Sequence, residues 1–317
     1  MKPLVIVTET LDKACADWLA ERVELVWCSH EKTGELDALL PRADGLVVRT
    51  YTQVNDALLA KAPKLRVVGR AGVGLDNFDL PACKARGVTV VYTPDANTQA
   101  VVEYVTALML DALRPRAAMA DKCSDTQFHK MRKELVGTQL DQLTLGILGF
   151  GRIGKRIGQV ARAIGMKVLA NDLLPEAELR REVDYVFDFV DKPTLYARAD
   201  VLTVHVDGRP GNRHLIDELA LNQLKPRCLL INTSRGFVID TSALANWLRK
   251  VEEAGGRAAL DVHEPEPPPA NYPLYGLKNA RLLPHLASRT DPALSNMSWV
   301  VQDVAAVLEG LTPKYPA

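Results

Sequence analysis

The sequence has no excess of either charge. It contains 39 lysine and arginine residues and 39 aspartate and glutamate residues, so the formal net charge is zero at pH 7. A neutral chain creates no long-range field for nucleic acid or an anionic membrane, and we expect neither as a partner. Any bound anion must be held by a local cationic cluster. At 317 residues the chain is long enough for two domains that each bury a core.

Cysteine is scarce and irregularly placed. The five cysteines are odd in number, lie far apart and have no CxxC spacing: Cys15, Cys28, Cys83, Cys123 and Cys228. This usage predicts reduced thiols in a cytoplasmic protein, and we predict no metal site.

Long apolar runs are also missing. The apolar run that begins at Leu4 meets an acid at Glu9, too early for the core of a signal peptide. No other run approaches the roughly 20 residues needed to cross a bilayer. We therefore expect a cytoplasmic protein with no membrane partner.

Residues 143–172 carry the most informative pattern, which predicts a buried strand, a glycine turn, an amphipathic helix and a second strand. Gly149 permits a tight turn, Gly151 lets the backbone approach a pyrophosphate, and Gly154 lets the helix pack closely on the strand. Asp172 ends the second strand about 20 residues past the glycines, where a carboxylate can accept hydrogen bonds from the ribose of NAD.

The alternative is a structural βαβ unit with spare glycines. A dinucleotide site is favoured because strand, turn, helix and terminal acid all agree. NAD is favoured over NADP because Asp172 would repel a 2′-phosphate and no arginine or lysine follows until Arg180.

The first hundred residues alternate short apolar runs with helical patterns, which predicts a parallel sheet with helices on both faces. No GxGxxG turn follows the first strand, so we interpret this part as the substrate domain. Its loop 69–74 follows a strand, and the glycines there could expose backbone N–H groups to a carboxylate. A plain tight connection is the alternative.

The domain boundaries are predicted at two turns. Residues 93–98 have the turn chemistry of a hinge, followed by a long apolar helix from Thr98 to about Ala120 that is kinked or broken at Pro115. The polar segment 121–137 is expected to be a solvated charge run. After further α/β alternation, a helix at 291–310 capped by Asp291 leaves the nucleotide domain, and the tail can return to the first domain.

Three later strands end in residues with catalytic chemistry. Arg235 can bind an α-keto acid bidentately, and His285 can protonate its carbonyl oxygen as hydride reaches the carbon. A neighbouring carboxylate, Asp261 or Glu266, would keep the histidine charged near neutral pH. Each residue alone has a structural explanation; together, after a nucleotide fingerprint, they favour a functional site.

Six ordered stretches make the chain recognisable: VVGRAGVGLDNFDL, TPDANTQAVVEY, TLGILGFGRIGKRIG, LLINTSRGFVID, AALDVHEPEP and LPHLASRT. The chain resembles the D-isomer-specific 2-hydroxyacid dehydrogenase family over nearly its whole length, and most closely the D-3-phosphoglycerate dehydrogenase branch. The resemblance implies that Arg235, Glu266 and His285 are catalytic, that Glu266 pairs with His285, and that Asp261 lies near the nicotinamide amide.

The resemblance also implies an overall organisation. We expect an α/β protein of two doubly wound parallel-sheet domains, with a Rossmann-type NAD-binding domain at 98–287 inserted in a flavodoxin-like substrate domain made of 1–97 and 288–317. A homodimer built through the nucleotide domains is implied as well. Since the chain ends at Ala317, we expect a short form without a fused regulatory domain.

Two sets of binding residues complete the prediction. The cofactor is expected to be bound by Gly149, Gly151, Arg152, Ile153, Gly154, Asp172, His205, Thr233 and Asp261. The substrate is expected to be bound by Arg49, Arg70, Val73, Gly74, Asn97 and Arg132, the last acting on the partner subunit. The arginines match the positions where the phosphoglycerate branch binds a phosphate; capping of strand ends and an ordinary charge run are the alternatives.

Three positions depart from the family pattern. Asp207 and Gly208 stand where Pro-Leu is usual, Lys130 replaces a tryptophan, and Arg289 replaces a small residue. The first departure affects the expected loop contacts to the cofactor.

The leading hypothesis is an NAD-dependent D-2-hydroxyacid dehydrogenase that reduces 2-keto acids, with 3-phosphohydroxypyruvate or a smaller acid such as glyoxylate or hydroxypyruvate as substrate. A non-catalytic NAD-sensing protein, similar to co-repressors of the same family, is the competing class. Formate dehydrogenases share the fold, but the pairing of Glu266 with His285 favours acid-base chemistry on a keto group.

Overall fold

The computed structural model describes residues 2–119 and 122–317 and contains two compact units. The first unit comprises the chain up to Ala100 together with Ser288–Ala317, and the second comprises Val101–Ala287. Each unit is built on a sheet whose neighbouring strands pair in parallel. The predicted α/β class with two parallel-sheet domains is confirmed.

The first unit has a five-stranded sheet of order β2-β1-β3-β4-β5, the doubly wound, flavodoxin-like arrangement. Its strands are β1 (Leu4–Val7), β2 (Glu24–Trp27), β3 (Gly45–Val48), β4 (Val67–Arg70) and β5 (Thr89–Tyr92). Its helices are α1 (Lys13–Ala20), α2 (Thr33–Leu39), α3 (Asp56–Ala60), α4 (Leu80–Ala85), α12 (Asp291–Ser298) and α13 (Val301–Leu308).

Helices cover both faces of this sheet. On one face, Leu36, Leu59 and Cys83 of α2, α3 and α4 belong to one buried cluster. On the other, Leu19 of α1 and Val304 of α13 belong to a second. Strands buried on both faces are continuous apolar runs, which is why sequence patterns located them.

The C-terminal segment differs from the prediction of one helix at 291–310. It forms α12 and α13, and the cap of α12 is Thr290, whose hydroxyl accepts a hydrogen bond from the Ala293 amide at 3.3 Å, so the predicted cap at Asp291 is wrong. The break follows Ser298, whose hydroxyl donates to the Leu294 carbonyl at 2.9 Å; such a side chain competes with the backbone pattern. The tail returns to β5, as predicted: the Ala317 amide donates to the Val90 carbonyl.

The second unit has a seven-stranded sheet of order β12-β11-β10-β9-β6-β7-β8. Its strands are β6 (Thr144–Leu148), β7 (Lys167–Asn171), β8 (Asp188–Phe189), β9 (Val201–Val204), β10 (Leu229–Asn232), β11 (Arg257–Leu260) and β12 (Ala280–Leu282). Its helices are α5 (Thr98–Leu113, beginning in the first unit), α6 (Asp125–Glu134), α7 (Arg152–Ala163), α8 (Glu176–Arg180), α9 (Lys192–Arg198), α10 (Glu218–Gln223) and α11 (Thr241–Val251).

The strand order of the second unit reverses between β6 and β9. The chain runs outward from β6 through β7 to β8, then returns to place β9 on the other side of β6. In open α/β sheets, ligands bind outside the carboxyl ends of the strands at such a switch point. The loops after β6 and β9 are therefore where a dinucleotide is expected.

Three predicted elements of this unit need correction. Helix α5 ends at Leu113 instead of near Ala120, which lies outside the described residues, because Pro115 lacks an amide hydrogen and disfavours helical backbone before it. The polar segment after it contains a helix, α6, which we did not predict. The sequence pattern also predicts a strand at 185–189, but only Asp188–Phe189 forms one, β8, and the Tyr185 hydroxyl donates to the Lys155 carbonyl of α7 at 2.6 Å.

Within residues 2–119 and 122–317, no helix has the length and apolar character that crossing a membrane requires.

Candidate functional site

The glycine turn after β6 is as tightly built as the pattern predicts. Gly149 has φ +92°, a conformation that other L-residues rarely adopt, and a Cβ placed there would lie 2.6 Å from the carbonyl carbon of His205. A Cβ on Gly154 would overlap the carbonyl oxygen of Gly149. At Gly151, by contrast, a Cβ would meet no described atom within 4 Å. One side of the turn is packed and the other is open.

Helix α7 begins at this open side. Gly151 is its N-cap residue and has no side chain to satisfy the first backbone N–H groups, which belong to the turn of Arg152, Ile153 and Gly154. Unsatisfied N–H groups and the positive end of the helix dipole together bind anions such as a pyrophosphate.

Asp172 lies beside the same turn, immediately after β7. One carboxylate oxygen accepts a hydrogen bond from the Phe150 amide at 2.6 Å and the other from the Leu174 amide at 2.9 Å. The two bonds orient the carboxylate and leave each oxygen a further lone pair for a hydroxyl donor.

His205 follows β9 on the other side of the switch point. Its Nε2 lies 2.8 Å from the hydroxyl oxygen of the buried Thr203. Burial lowers the pKa of His205 to about 3, so its ring is neutral at physiological pH. It can bind a neighbour by hydrogen bonding but carries no charge.

Thr233 contributes an unsatisfied polar group after β10. Its hydroxyl oxygen is buried and has no hydrogen-bond partner within residues 2–119 and 122–317. Buried hydroxyls normally have a partner, so this one is placed for a donor or acceptor from a ligand. The open glycine turn, the uncapped α7 and Thr233 fit a dinucleotide.

Asp261 organises the loop that carries His285. Its two carboxylate oxygens accept hydrogen bonds from the Leu286 and Ala287 amides, each at 2.8 Å, and its carbonyl accepts the His285 amide at 2.9 Å. The side chain is fully buried. Burial and then the negative charge of Asp261 raise the pKa of Tyr104 to about 12. Asp261 is thus committed to fixing the backbone around the histidine.

Glu266 and His285 form the pair that the resemblance implies. His285 Nδ1 lies 2.9 Å from one oxygen of Glu266, and the other oxygen accepts the His263 amide at 2.8 Å. His285 has φ +55°, which is uncommon for a residue with a Cβ and marks a backbone held by its surroundings.

Each member of the pair stabilises the charge of the other. The hydrogen bond to Glu266 raises the pKa of His285 against the opposing effect of burial. Burial acts to raise the pKa of Glu266, but the hydrogen bonds from His285 and from the His263 amide leave it below its ordinary value. The pair is therefore an imidazolium and a carboxylate over a wider pH range than either alone.

Arg235 lies on the loop after β10, which contacts the loop that follows β11 and carries Glu266, here called the glutamate loop. A Cβ on Gly236 would overlap the carbonyl group of His263, so the two loops meet backbone to backbone. The Asn232 amide group donates to the Arg235 carbonyl at 2.9 Å, and the guanidinium donates to the Ser234 carbonyl at 2.8 Å. The positive charge of Arg235 acts on His285 and tends to lower its pKa, so the two are electrostatic neighbours.

The predicted substrate residues of the first unit follow β3 and β4. Glu9, which we did not predict, accepts hydrogen bonds from the backbone amides of residues 49–52 and so holds the loop of Arg49. The Arg70 guanidinium donates to the Ala71 carbonyl at 2.9 Å and the Gly74 carbonyl at 3.0 Å, across the loop that includes Val73.

Two further predicted substrate residues lie elsewhere. The side-chain oxygen of Asn97 is buried and has no hydrogen-bond partner in the described parts of the chain. Arg132 belongs to α6 of the second unit, where its guanidinium lies 5.9 Å from the ring centre of Phe128. The structure thus describes each of these residues within its own unit.

Comparison with known proteins identifies the second unit. Residues 106–287 match the family model for the NAD binding domain of D-isomer specific 2-hydroxyacid dehydrogenases. The chain belongs to the D-isomer specific 2-hydroxyacid dehydrogenase family. The matched domain is an NAD binding domain, in agreement with the predicted cofactor.

Relatives of this dehydrogenase family match most of the chain. It is 37% identical to a D-3-phosphoglycerate dehydrogenase of Mycobacterium leprae over 293 residues, 92% of this chain and 54% of that protein. It is 34% identical to a hydroxypyruvate reductase of Thermotoga maritima over 91% of this chain and 92% of that protein. The chain therefore spans about half the length of the phosphoglycerate dehydrogenases that it matches.

A solved structure of the family has the same fold. The D-lactate dehydrogenase of Aquifex aeolicus, in complex with NAD and lactic acid, superposes with a TM-score of 0.80 at 26% identity and covers 97% of this chain and 96% of that one.

Sequence reasoning missed residues that support the candidate site. His263 offers its amide to Glu266, and its ring Nε2 lies 2.8 Å from the Leu283 carbonyl oxygen, so it ties the glutamate loop to the segment before His285. Its position in the stretch DVHEPEP was a usable signal. Glu9 had no signal, because its partners are backbone amides about 40 residues away.

Proposed function

We propose that this protein catalyses the NAD-dependent interconversion of a D-2-hydroxy acid and its 2-keto acid. The observation that carries the proposal is the ion pair of His285 and Glu266 at 2.9 Å in an NAD-binding unit, with Arg235 as an electrostatic neighbour. Reduction of a keto acid needs two groups from the protein. One is a proton donor for the carbonyl oxygen, and the other is a planar cation that binds the carboxylate.

We assign the binding of NAD to the switch point between β6 and β9. Gly149 and Gly154 permit the tight turn, Gly151 leaves room for the pyrophosphate, and the first N–H groups of α7 bind it. Asp172 is oriented by two backbone amides and accepts hydrogen bonds from the hydroxyls of the adenosine ribose. Thr233 supplies a hydroxyl for the nicotinamide half.

The chemical roles follow from the geometry of the pair. Bound NAD supplies or accepts the hydride. The guanidinium of Arg235 binds the substrate carboxylate and carbonyl, with its planar fork of N–H donors. His285 Nδ1 is held by Glu266, which leaves Nε2 to give a proton to the keto oxygen or to take it from the hydroxyl. Glu266 keeps the ring protonated for reduction and holds its orientation.

The test is NADH oxidation with glyoxylate, hydroxypyruvate, pyruvate, oxaloacetate, 2-ketoglutarate and 3-phosphohydroxypyruvate. We expect turnover of at least one acid, and a loss of about 100-fold to 10,000-fold in kcat for His285→Ala with little change in NADH affinity. Retention of most of the turnover would exclude His285 as the acid. NADH binding without turnover of any acid would favour the non-catalytic sensor.

We propose 3-phosphohydroxypyruvate as the preferred substrate, with an unphosphorylated acid as the competing candidate. Burial lowers the pKa of Arg49, and the negative charge of Glu9 opposes that shift. The positive charge of Arg289 lowers the same pKa further, so two cations are close together in the first unit. Such a pair suits a phosphate, which needs several charge-assisted hydrogen bonds. The relatives include enzymes named for both substrate types.

We further propose a homodimer that covers α6. None of the residues of α6, all within the described part of the chain, is buried in the single chain. Phe128 is 40% exposed, and Val136 just beyond the helix is 78% exposed. Light scattering of the purified protein should give twice the chain mass, and Phe128→Asp should lower it; a monomer at micromolar concentration contradicts the proposal.

We also propose a cytoplasmic location, since the five cysteines are free thiols and four of them are buried. Cell fractionation tests this, and recovery with membranes or in the medium contradicts it.

A further inference from the structure

The loop that follows β9 lies beside the glycine turn of β6. It begins at His205, whose carbonyl group lies against that turn, and continues through Asp207 and Gly208 to Arg209. The loop therefore flanks the switch point where the dinucleotide binds.

An ion pair gives this loop its shape. Arg209 Nε donates to one oxygen of Asp207 at 2.7 Å and Nη2 donates to the other at 2.5 Å, a bidentate arrangement. The side-chain amide of Asn212 donates to the carbonyl and to a carboxylate oxygen of Asp207, both at 3.0 Å. Asp207 thus holds the guanidinium by its edge and is itself held by Asn212.

The guanidinium also lies within the electrostatic reach of Asp172. The hydrogen bond and the charge of Asp207 raise the pKa of Arg209, and Asp172 raises it further. Asp172 in turn is fixed by the Phe150 amide in the turn against which the loop of Arg209 packs. Arg209 is therefore a cation close enough to interact electrostatically with the carboxylate to which we assign the adenosine ribose.

We propose that Asp207 is a specificity-determining residue that favours NAD over NADP, because its ion pair with Arg209 withholds a cation from the 2′-phosphate. The inference rests on the proposed placement of the adenosine ribose at Asp172. A 2′-phosphate beside Asp172 brings like charges together and needs a cation to offset them. Arg209 is suited to bind it, but two of its N–H donors are used by Asp207.

The strength of the pair sets the size of the effect. Both side chains are about half exposed, at 55% for Asp207 and 54% for Arg209, so water and salt weaken their attraction. Exposed pairs at the favourable, bidentate end of the range change an equilibrium by about fivefold. Asp207 should therefore tune cofactor choice, while Asp172 remains the larger determinant.

The experiment measures binding of two probes that differ by one phosphate, adenosine 2′,5′-bisphosphate and AMP, to the full chain by calorimetry. Asp207→Asn removes the charge and keeps the acceptor for Asn212. We expect the ratio of bisphosphate to AMP affinity to rise about fivefold in this variant, and the rise to vanish in Asp207→Asn combined with Arg209→Ala.

A matched control is available in the same unit. Asp188 pairs with Arg198 at 3.7 Å with similar exposure, 62% and 53%. Asp188→Asn makes the same change in charge and should leave the affinity ratio unchanged.

Three results would overturn the inference while leaving the proposed NAD site intact. One is an unchanged ratio in Asp207→Asn, and another is an equal rise in Asp188→Asn. The third is an equal rise with and without Arg209, which would mean that Asp207 acts by repelling the phosphate and not by holding the cation. If wild-type protein binds neither AMP nor the bisphosphate, the proposed NAD site itself is wrong and this inference falls with it.

Discussion

Replacing Gly154 by alanine tests whether the glycine turn is as tightly packed as the structure indicates. The new Cβ would overlap the carbonyl oxygen of Gly149, a backbone atom that cannot rotate away, and would lie 3.1 Å from Ile147. Overpacking of this kind costs about 1 to 3 kcal/mol, and a backbone clash belongs in the upper half of that range. Alanine recovers up to about 1 kcal/mol through its helix propensity.

We therefore expect a net loss of about 1 to 3 kcal/mol, which lowers the unfolding temperature by about 2 to 12 °C for a unit of this size. NADH affinity should fall as well, because the new Cβ displaces Gly149, which forms part of the proposed pyrophosphate site. Thermal unfolding followed by circular dichroism and titration of NADH fluorescence measure the two effects.

Gly151→Ala is the matched control. Its Cβ would meet no described protein atom within 4 Å, and Gly151 has φ −76°, which alanine adopts freely. The weaker N-cap and the less flexible unfolded chain nearly offset each other in stability. This variant should bind NADH more weakly without unfolding earlier. An unchanged unfolding temperature for Gly154→Ala, or an equal drop for Gly151→Ala, would refute the reasoning.

Three further changes test the site. Glu266→Gln removes the carboxylate charge that raises the pKa of His285, so the pH above which keto-acid reduction fails should move to lower values; an unchanged pH profile of kcat/KM means that the two groups are not coupled. Asp172→Ala should relax the preference for NADH over NADPH in steady-state assays, and a wild type that already prefers NADPH contradicts the assignment. Arg49→Ala should weaken the binding of 3-phosphohydroxypyruvate by about 1.5 to 3 kcal/mol and leave the binding of hydroxypyruvate unchanged. An equal rise in KM for both substrates would argue for a small-acid reductase.

The fold was largely predictable because its signals are local. Strands buried on both faces are apolar runs, and the helix of the glycine motif repeats apolar residues at helical spacing, so both can be read from neighbouring residues. Two of the errors lie beside a side chain that donates a hydrogen bond to the backbone. The Ser298 hydroxyl donates to Leu294 at the break between α12 and α13, and the Tyr185 hydroxyl donates to Lys155 of α7.

The sequence by itself determined the glycine turn, the acid after β7 and the candidates Arg235, Glu266 and His285, since each follows a recognisable strand or motif. Only the tertiary structure decided how they are held. Both carboxylate oxygens of Asp261 accept hydrogen bonds from the amides after His285, and the His263 amide donates to Glu266. These contacts form because the register of β11 and β12 brings their loops together. The same holds for Asp207, whose loop meets the glycine turn only because β9 pairs with β6. Spacing along a chain reports local conformation, whereas contacts between loops depend on which strands are neighbours in the sheet.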